Sequence, residues 1–294
     1  MAKYIYLDQN KWIELARYHT NREKNIELKK IYDLVNEKSK SGEWIFPLSI
    51  IHYDETITRK QKSQRYSLAK YMGEISRNWT IEPYGINKFE ELKKCVINSY
   101  NYTPIKRNPL NIFGKSFDFK NLNEDKILNE NNFFLSLMKE DEEWDIDELI
   151  ENNFCYRDAF EALRKEDAQN PIPEKHKFGV LFTQCFDEEY KEILDKLNVT
   201  EKQKENLSYD MYIKQKPDSF YVNMFLIYHS KLKNKYRKND INDYKDIASI
   251  SQALPYCDAL ITEKYWSSLI TEHKLDEKYN ILVSKNLNDL KKLL

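Results

Sequence analysis

Residues 239–266 read N-D-I-N-D-Y-K-D-I-A-S-I-S-Q-A-L-P-Y-C-D-A-L-I-T-E-K-Y-W, and this stretch decides the fold. Asp246 opens an apolar run that predicts a helix over about 243–254. The short β-type run Ala259-Leu260-Ile261-Thr262 follows, flanked by Asp258 and Glu263. A helix over about 265–273, a strand at Tyr279–Val283 and a short Leu290-rich end complete this half. The N-terminal end has the same grammar. Tyr4–Leu7 is a strand closed by Asp8, and Trp12, Ile13, Leu15 and Ala16 begin a helix. Leu28, Ile31, Tyr32 and Val35 continue at helical spacing. After Ser41-Gly42, Trp44–Leu48 reads as a second strand leaving its layer at Pro47. Ser49–Tyr53 lead into a helix carrying Glu55, and 63–76 is helical, with Tyr66, Leu68, Ala69, Met72 and Ile75 as buried positions. Strands alternating with helices predict a parallel α/β sheet.

The two ends therefore read as halves of one α/β domain, 1–80 and 225–294. Between them, 81–224 reads as a mainly α-helical insertion or lid. Its helical patterns fall near 87–99, 124–139, 146–165 and 187–213, and loops rich in Asn, Pro and Gly at 101–115 and 170–179 interrupt them. The 294 residues are 41% hydrophobic and 14% aromatic, ample for a core, while 32% charged residues and a mean hydropathy of −0.78 predict a heavily charged surface. No apolar run approaches the roughly 18 residues of a membrane span, and the chain starts on a strand pattern without signal-peptide architecture. A cytoplasmic protein without a membrane partner is expected. The 4 cysteines form no C-x-x-C and the 5 histidines no H-E-x-x-H, so neither a disulfide framework nor zinc is expected. A net charge of −1 argues against coating nucleic acid by general attraction, but not against a local basic groove.

Carboxylates at strand ends, drawn from distant parts of a chain, are what a hard divalent cation requires. Asp8, in Y-L-D-Q-N-K-W, sits where open α/β sheets bind ligands, and Asn10 is placed to orient it or a metal-bound water. Asp8 is equally well read as an N-cap, and Glu55, beside Asp54, as a solvated acid. Asp243 and Asp246 share a helical face and suit the first turn of a helix, but that role leaves Asp258 and Glu263 unexplained. On strand polarity, Glu263 shares the C-terminal rim with Asp8, and Asp258 sits lower. His52 reads as a packed or hydrogen-bonded residue.

D-Q-N-K-W at 8–12, P-L-S-I-I-H-Y-D-E-T at 47–56 and K-D-I-A-S-I…P-Y-C-D-A-L-I-T-E-K-Y-W at 245–266 resemble a PIN-like nuclease. The resemblance covers the two ends, where it implies a three-layer α/β/α fold with a central parallel sheet, and leaves the helical insertion between them unexplained. It further implies Mg²⁺ or Mn²⁺ held by acids, and endonucleolytic cleavage of RNA, or less often DNA, leaving 5′-phosphate and 3′-hydroxyl ends. By motif, Asp8 matches the first family acid, Glu55 the helical glutamate and Asp246 the acid opening the late helix. Glu263 matches the last acid, with Glu in place of the usual Asp. These four are the expected catalytic residues and metal ligands, with Asp258 and Asp243 as further ligand candidates.

Arg59, Lys60, Lys62 and Arg65 follow Glu55, while Lys231, Lys233, Lys235, Arg237 and Lys238 precede the late acids. Of these, Arg59, Lys60, Arg65, Lys235 and Arg237 are the expected phosphate-binding residues, although a solvated helix face balanced by neighbouring acids is the commoner explanation of such runs taken alone. Single-stranded RNA or tRNA is the expected substrate, and by analogy a toxin or anti-phage defence effector the expected role. An antitoxin or regulatory protein partner and a homo-oligomer stay open. The competing reading is a catalytically degenerate PIN-like module binding RNA or a protein partner. A small-molecule phosphohydrolase ranks last, because position 10 is Asn rather than the second acid of a D-x-D pair and no Gly-rich phosphate loop is visible.

Overall fold

The computed structural model describes residues 2–101, 112–114, 134, 135, 138, 172–196, 199–234 and 241–294. The chain divides into two compact units. One comprises 1–83, 111–146 and 253–294, the other 84–110 and 147–252. Residues 225–252, grouped with the chain ends on sequence, thus cluster with the second unit.

The first unit is built on a parallel sheet. Its strands are β1 (Lys3–Leu7), β2 (Trp44–Ile45), β5 (Ala259–Ile261) and β6 (Leu282–Ser284), in the order β2-β1-β5-β6. Strands β3 (Thr80–Ile81) and β4 (Phe113–Gly114) form a separate antiparallel pair, and Leu48 makes an isolated parallel bridge to Thr80. In the main sheet Ile5, Tyr6 and Leu7 lie opposite Ala259, Leu260 and Ile261, and these pair on with Leu282, Val283 and Ser284. Ile5, Tyr6, Leu7 and all of β5 are buried, as expected of central strands covered on both faces.

Helix Gln9–His19 follows β1 directly and buries Trp12, Leu15 and Ala16 at the i, i+3, i+4 spacing of one face. Helix Ile26–Ser41 starts at Asn25, whose side chain accepts from the Glu27 and Leu28 amides. It ends at Gly42, whose φ of 76° a side chain would strain. Trp12 is fully buried, with Phe46, Tyr71 and His52 each edge-on to its ring. In helix Lys62–Ser76 the structure buries Arg65, whereas Tyr66, expected in the core, is half-buried. The strand expected at Tyr279–Val283 begins only at Leu282. Leu275–Tyr279 is a short helix, and Asn280 ends it in the left-handed region at φ 52°.

The second unit is helical where it is described: Tyr84–Asn101, Glu174–Lys196, Glu201–Lys214, Asp218–Ile227 and Ile241–Ala253, the last reaching the first unit at Ala253. Asp218–Ile227 continues as a π-helical turn, Tyr228–Lys233. Phe182, Phe186, Tyr190 and Phe220 are fully buried and pack ring on ring with centroids 4.9–6.0 Å apart. The helix expected at 124–139 falls in the first unit and is described only at Phe134, Leu135 and Met138, which are helical; that expected at 146–165 lies outside the described residues.

Candidate active site

The chain leaves β1 towards β2 on one side and later leaves β5 towards β6 on the other, so the strand order reverses between β1 and β5. At such a switch point the helices following the two strands part, and a crevice opens at the strands' C-terminal ends. Asp8 is the first residue beyond β1; Thr262 and Glu263 are the first two beyond β5.

Asp8 occupies the N-cap position of helix Gln9–His19. Its backbone N–H donates to Ile261 O at 2.9 Å, extending the ladder by one residue. Its Oδ2 accepts from the buried Thr262 hydroxyl at 3.1 Å. Burial pushes the Asp8 carboxyl up from its ordinary value. The nearby Glu263 charge pushes it further, while the Thr262 hydroxyl and the Asn10 and Gln9 amides pull it back. The ionised form is therefore under-compensated.

Asn10, in the first turn of the same helix, donates from Nδ2 to Glu263 Oε1 at 3.1 Å. Glu263 is a pure acceptor when ionised, so the amide must present its NH₂ there. That leaves Asn10 Oδ1 buried and without a hydrogen-bond partner among the described residues. Two carboxylates and an orphaned amide oxygen thus meet at one rim. Oxygen donors of this kind fit a hard cation, and Mg²⁺ typically takes one or two carboxylates and keeps several waters. Among the described residues no group of three or more His, Cys, Asp and Glu side chains is arranged to hold a metal.

Glu55 is half-buried on helix Ile50–Ile57. That helix is bolted to the end of β1 at several points. The Tyr6 hydroxyl bonds Ser49 Oγ at 2.8 Å, His52 Nε2 bonds Leu7 O at 2.8 Å, and Gln9 Nε2 donates to Thr56 Oγ1 at 2.8 Å. Ser49 caps the helix in a capping box with His52, whose Nδ1 accepts from the Ser49 amide at 2.9 Å. The S-x-x-H spacing carries this signal in the sequence; the bond to Leu7 has no local signature.

Asp258 lies elsewhere. Its Oδ2 accepts from Tyr4 N at 2.7 Å and its own amide donates to Tyr4 O, at the start of the β1–β5 pairing. Four residues of strand rise separate it from Thr262, about 13 Å along the sheet. It lines, with Lys3, Asp276 and Glu277, a cleft of about 410 Å³ at the opposite end of the strands.

In the second unit, Asp243 is buried in an ion pair with Lys231, whose ammonium also sits 5.3 Å from the Tyr244 ring centroid. Its carboxylate is thereby committed to a structural cation. Asp246, one turn on, is half-buried in helix Ile241–Ala253.

Of the expected phosphate-binding residues, Arg65 is buried. Its Nη1 donates to Ile57 O at 3.0 Å, closing the end of the Glu55 helix, and its guanidinium lies 5.4 Å from the Tyr66 ring centroid. Arg59 is half-exposed and Lys60 exposed; Lys235 and Arg237 lie outside the described residues.

Comparisons of the chain with known protein families, with curated proteins and with solved structures found no match. No helix among the described residues is long and apolar enough to cross a membrane.

Proposed function

We propose that this protein is a PIN-like, metal-dependent endonuclease that hydrolyses phosphodiester bonds in RNA. One observation carries the reading: a desolvated Asp8 and an exposed Glu263 follow adjacent parallel strands at the switch point, with the unpartnered Asn10 Oδ1 beside them. The helices of the first unit supply the outer layers. Connections leaving in opposite directions cover opposite faces of a parallel sheet when both are right-handed.

Asp8, Glu263 and Asn10 would hold Mg²⁺ or Mn²⁺, with Glu55 as the acid from the neighbouring helix. Bound there, such an ion would activate water and offset charge on the phosphate and the leaving oxygen. The chain's own groups prepare this. The Thr262 hydroxyl donates to Asp8 Oδ2 and holds the carboxylate at the rim. The Asn10 amide fixes the longer Glu263 side chain, offsetting the freedom that its extra methylene brings. Helices Gln9–His19 and Lys264–Glu272 both begin at this rim, and their N-terminal dipoles favour a phosphate. Arg59 and Lys60, which follow the Glu55 helix in sequence, would add to that attraction.

Cleavage of labelled single-stranded RNA, tRNA and single-stranded DNA tests the reading, comparing wild type with Asp8→Asn, Glu263→Gln and Asp246→Asn. Metal-dependent cutting lost in Asp8→Asn supports it; cutting that survives Asp8→Asn refutes the site. The Asp246 variant decides whether the acid implied by resemblance takes part. A catalytically degenerate module that binds RNA or a protein partner is the second reading, favoured by Glu263 at the position where the family has Asp; it predicts binding without turnover. A toxin or defence role predicts growth arrest on induction that Asp8→Asn relieves.

A further inference from the structure

His52 is 1% exposed, its ring stacked on Tyr6 at 5.0 Å between centroids and edge-on to Trp12 at 6.3 Å. A residue that only filled this space would need volume and nothing more. His52 instead commits both ring nitrogens to backbone groups. Leu7 O can only accept, so Nε2 carries the proton; the Ser49 N–H can only donate, so Nδ1 carries the lone pair.

The partners are informative. Leu7 and Gln9 are the two chain neighbours of Asp8. His52, three residues before Glu55, bonds the first; Thr56, one residue after Glu55, bonds the second. The two tethers therefore bracket both acids, one on the strand side and one on the helix side. Helical spacing puts His52 and Glu55 on one face.

We propose that His52 is a positioning residue that sets the spacing between Asp8 and Glu55 by clamping the helix bearing one acid to the strand end bearing the other. The proposal rests on the metal-dependent reading above. Groups that orient metal ligands from behind typically govern about 10- to 100-fold of metal affinity. Gln9–Thr56, also at 2.8 Å, is the second bolt.

Titration of the full chain with Mn²⁺ by calorimetry, alongside thermal unfolding, tests this in His52→Asn and His52→Gln. The Asn Oδ1 reaches the place of Nδ1 and keeps the Ser49 contact but drops the Leu7 tether. The Gln Nε2 reaches the place of Nε2 and keeps the tether. The expected result is Mn²⁺ binding weakened about 10-fold or more in His52→Asn, with most of it recovered in His52→Gln, both variants unfolding cooperatively. Equal Mn²⁺ affinities in the two variants, with wild type binding the ion, overturn the clamp alone. No Mn²⁺ binding by wild type removes the metal reading and the clamp with it. If His52→Asn does not fold, Thr56→Val decides: several-fold weaker Mn²⁺ binding supports the clamp, and unchanged binding overturns it.

Discussion

Lowering the pH in the absence of divalent metal charges His52 only at the expense of the fold. Burial pushes its pKa down from 6.5 to about 4, opposed only by the bond to Leu7 O. The folded state therefore prefers the neutral ring. Its contribution to stability is fully present above the unfolded pKa of 6.5 and is lost as the pH falls from there through about 4. A gap of about 2.5 pH units at about 1.4 kcal/mol each gives a total loss of about 3 kcal/mol, of which about 2 has accrued by about pH 5. The structural cause is specific: a proton on Nδ1 would face the Ser49 amide donor and break the capping box. Urea unfolding of wild type and His52→Gln at about pH 7.5 and about pH 5, with chelator present, isolates the effect, because every other titrating group cancels in the difference. The stability advantage of wild type should shrink by about 2 kcal/mol between the two conditions. A difference that stays constant within about 0.5 kcal/mol would refute both the buried neutral ring and its enforced tautomer.

Other perturbations have equally definite outcomes. Asp8→Asn removes a carboxylate whose charged form the fold disfavours, so the metal-free variant should be no less stable than wild type at neutral pH. At about 100 times its dissociation constant, Mn²⁺ should stabilise wild type by about 2.7 kcal/mol in a thermal-shift titration, and the variant by less than half of that. Lys231→Met strands the buried Asp243 carboxylate and should cost about 3–5 kcal/mol in chemical denaturation, whereas Lys231→Met with Asp243→Leu should recover most of it. Lys60→Gln should flatten the salt dependence of RNA binding by about 0.7 in log–log slope; Arg65→Gln should leave that slope unchanged and lower the melting temperature instead.

The parallel sheet was legible because its strands are short, mostly apolar and punctuated. Lys3–Leu7 and Ala259–Ile261 announce themselves, and the acids after them follow from strand polarity, which separates Glu263 from Asp258. Thr80–Ile81 and Phe113–Gly114 gave no signal, since two residues have no periodicity and their pairing is set by tertiary contacts. Tyr279–Val283 looked like one strand because short apolar runs do not distinguish strand from helix; Asn280 adopts the left-handed conformation that splits them. Asp243 looked like a metal ligand and Arg65 like a phosphate binder for one reason. A charged residue at the surface and one buried against its partner have the same letter, and Lys231 and Ile57 O are brought to them only by packing. His52 was legible as a packed or bonded residue, but not as the link between two acid-bearing elements.

The central claim is that the rim holding Asp8, Asn10 and Glu263 is a metal-dependent phosphodiesterase centre. Incubation of labelled RNA with wild type and Asp8→Asn, with Mn²⁺ or with chelator, tests it most directly. The account predicts cutting by wild type with Mn²⁺ that leaves 5′-phosphate ends, stops with chelator and is lost in Asp8→Asn. Cutting that Asp8→Asn leaves intact, or intact RNA in every lane alongside Mn²⁺ binding that does not need Asp8, would contradict it.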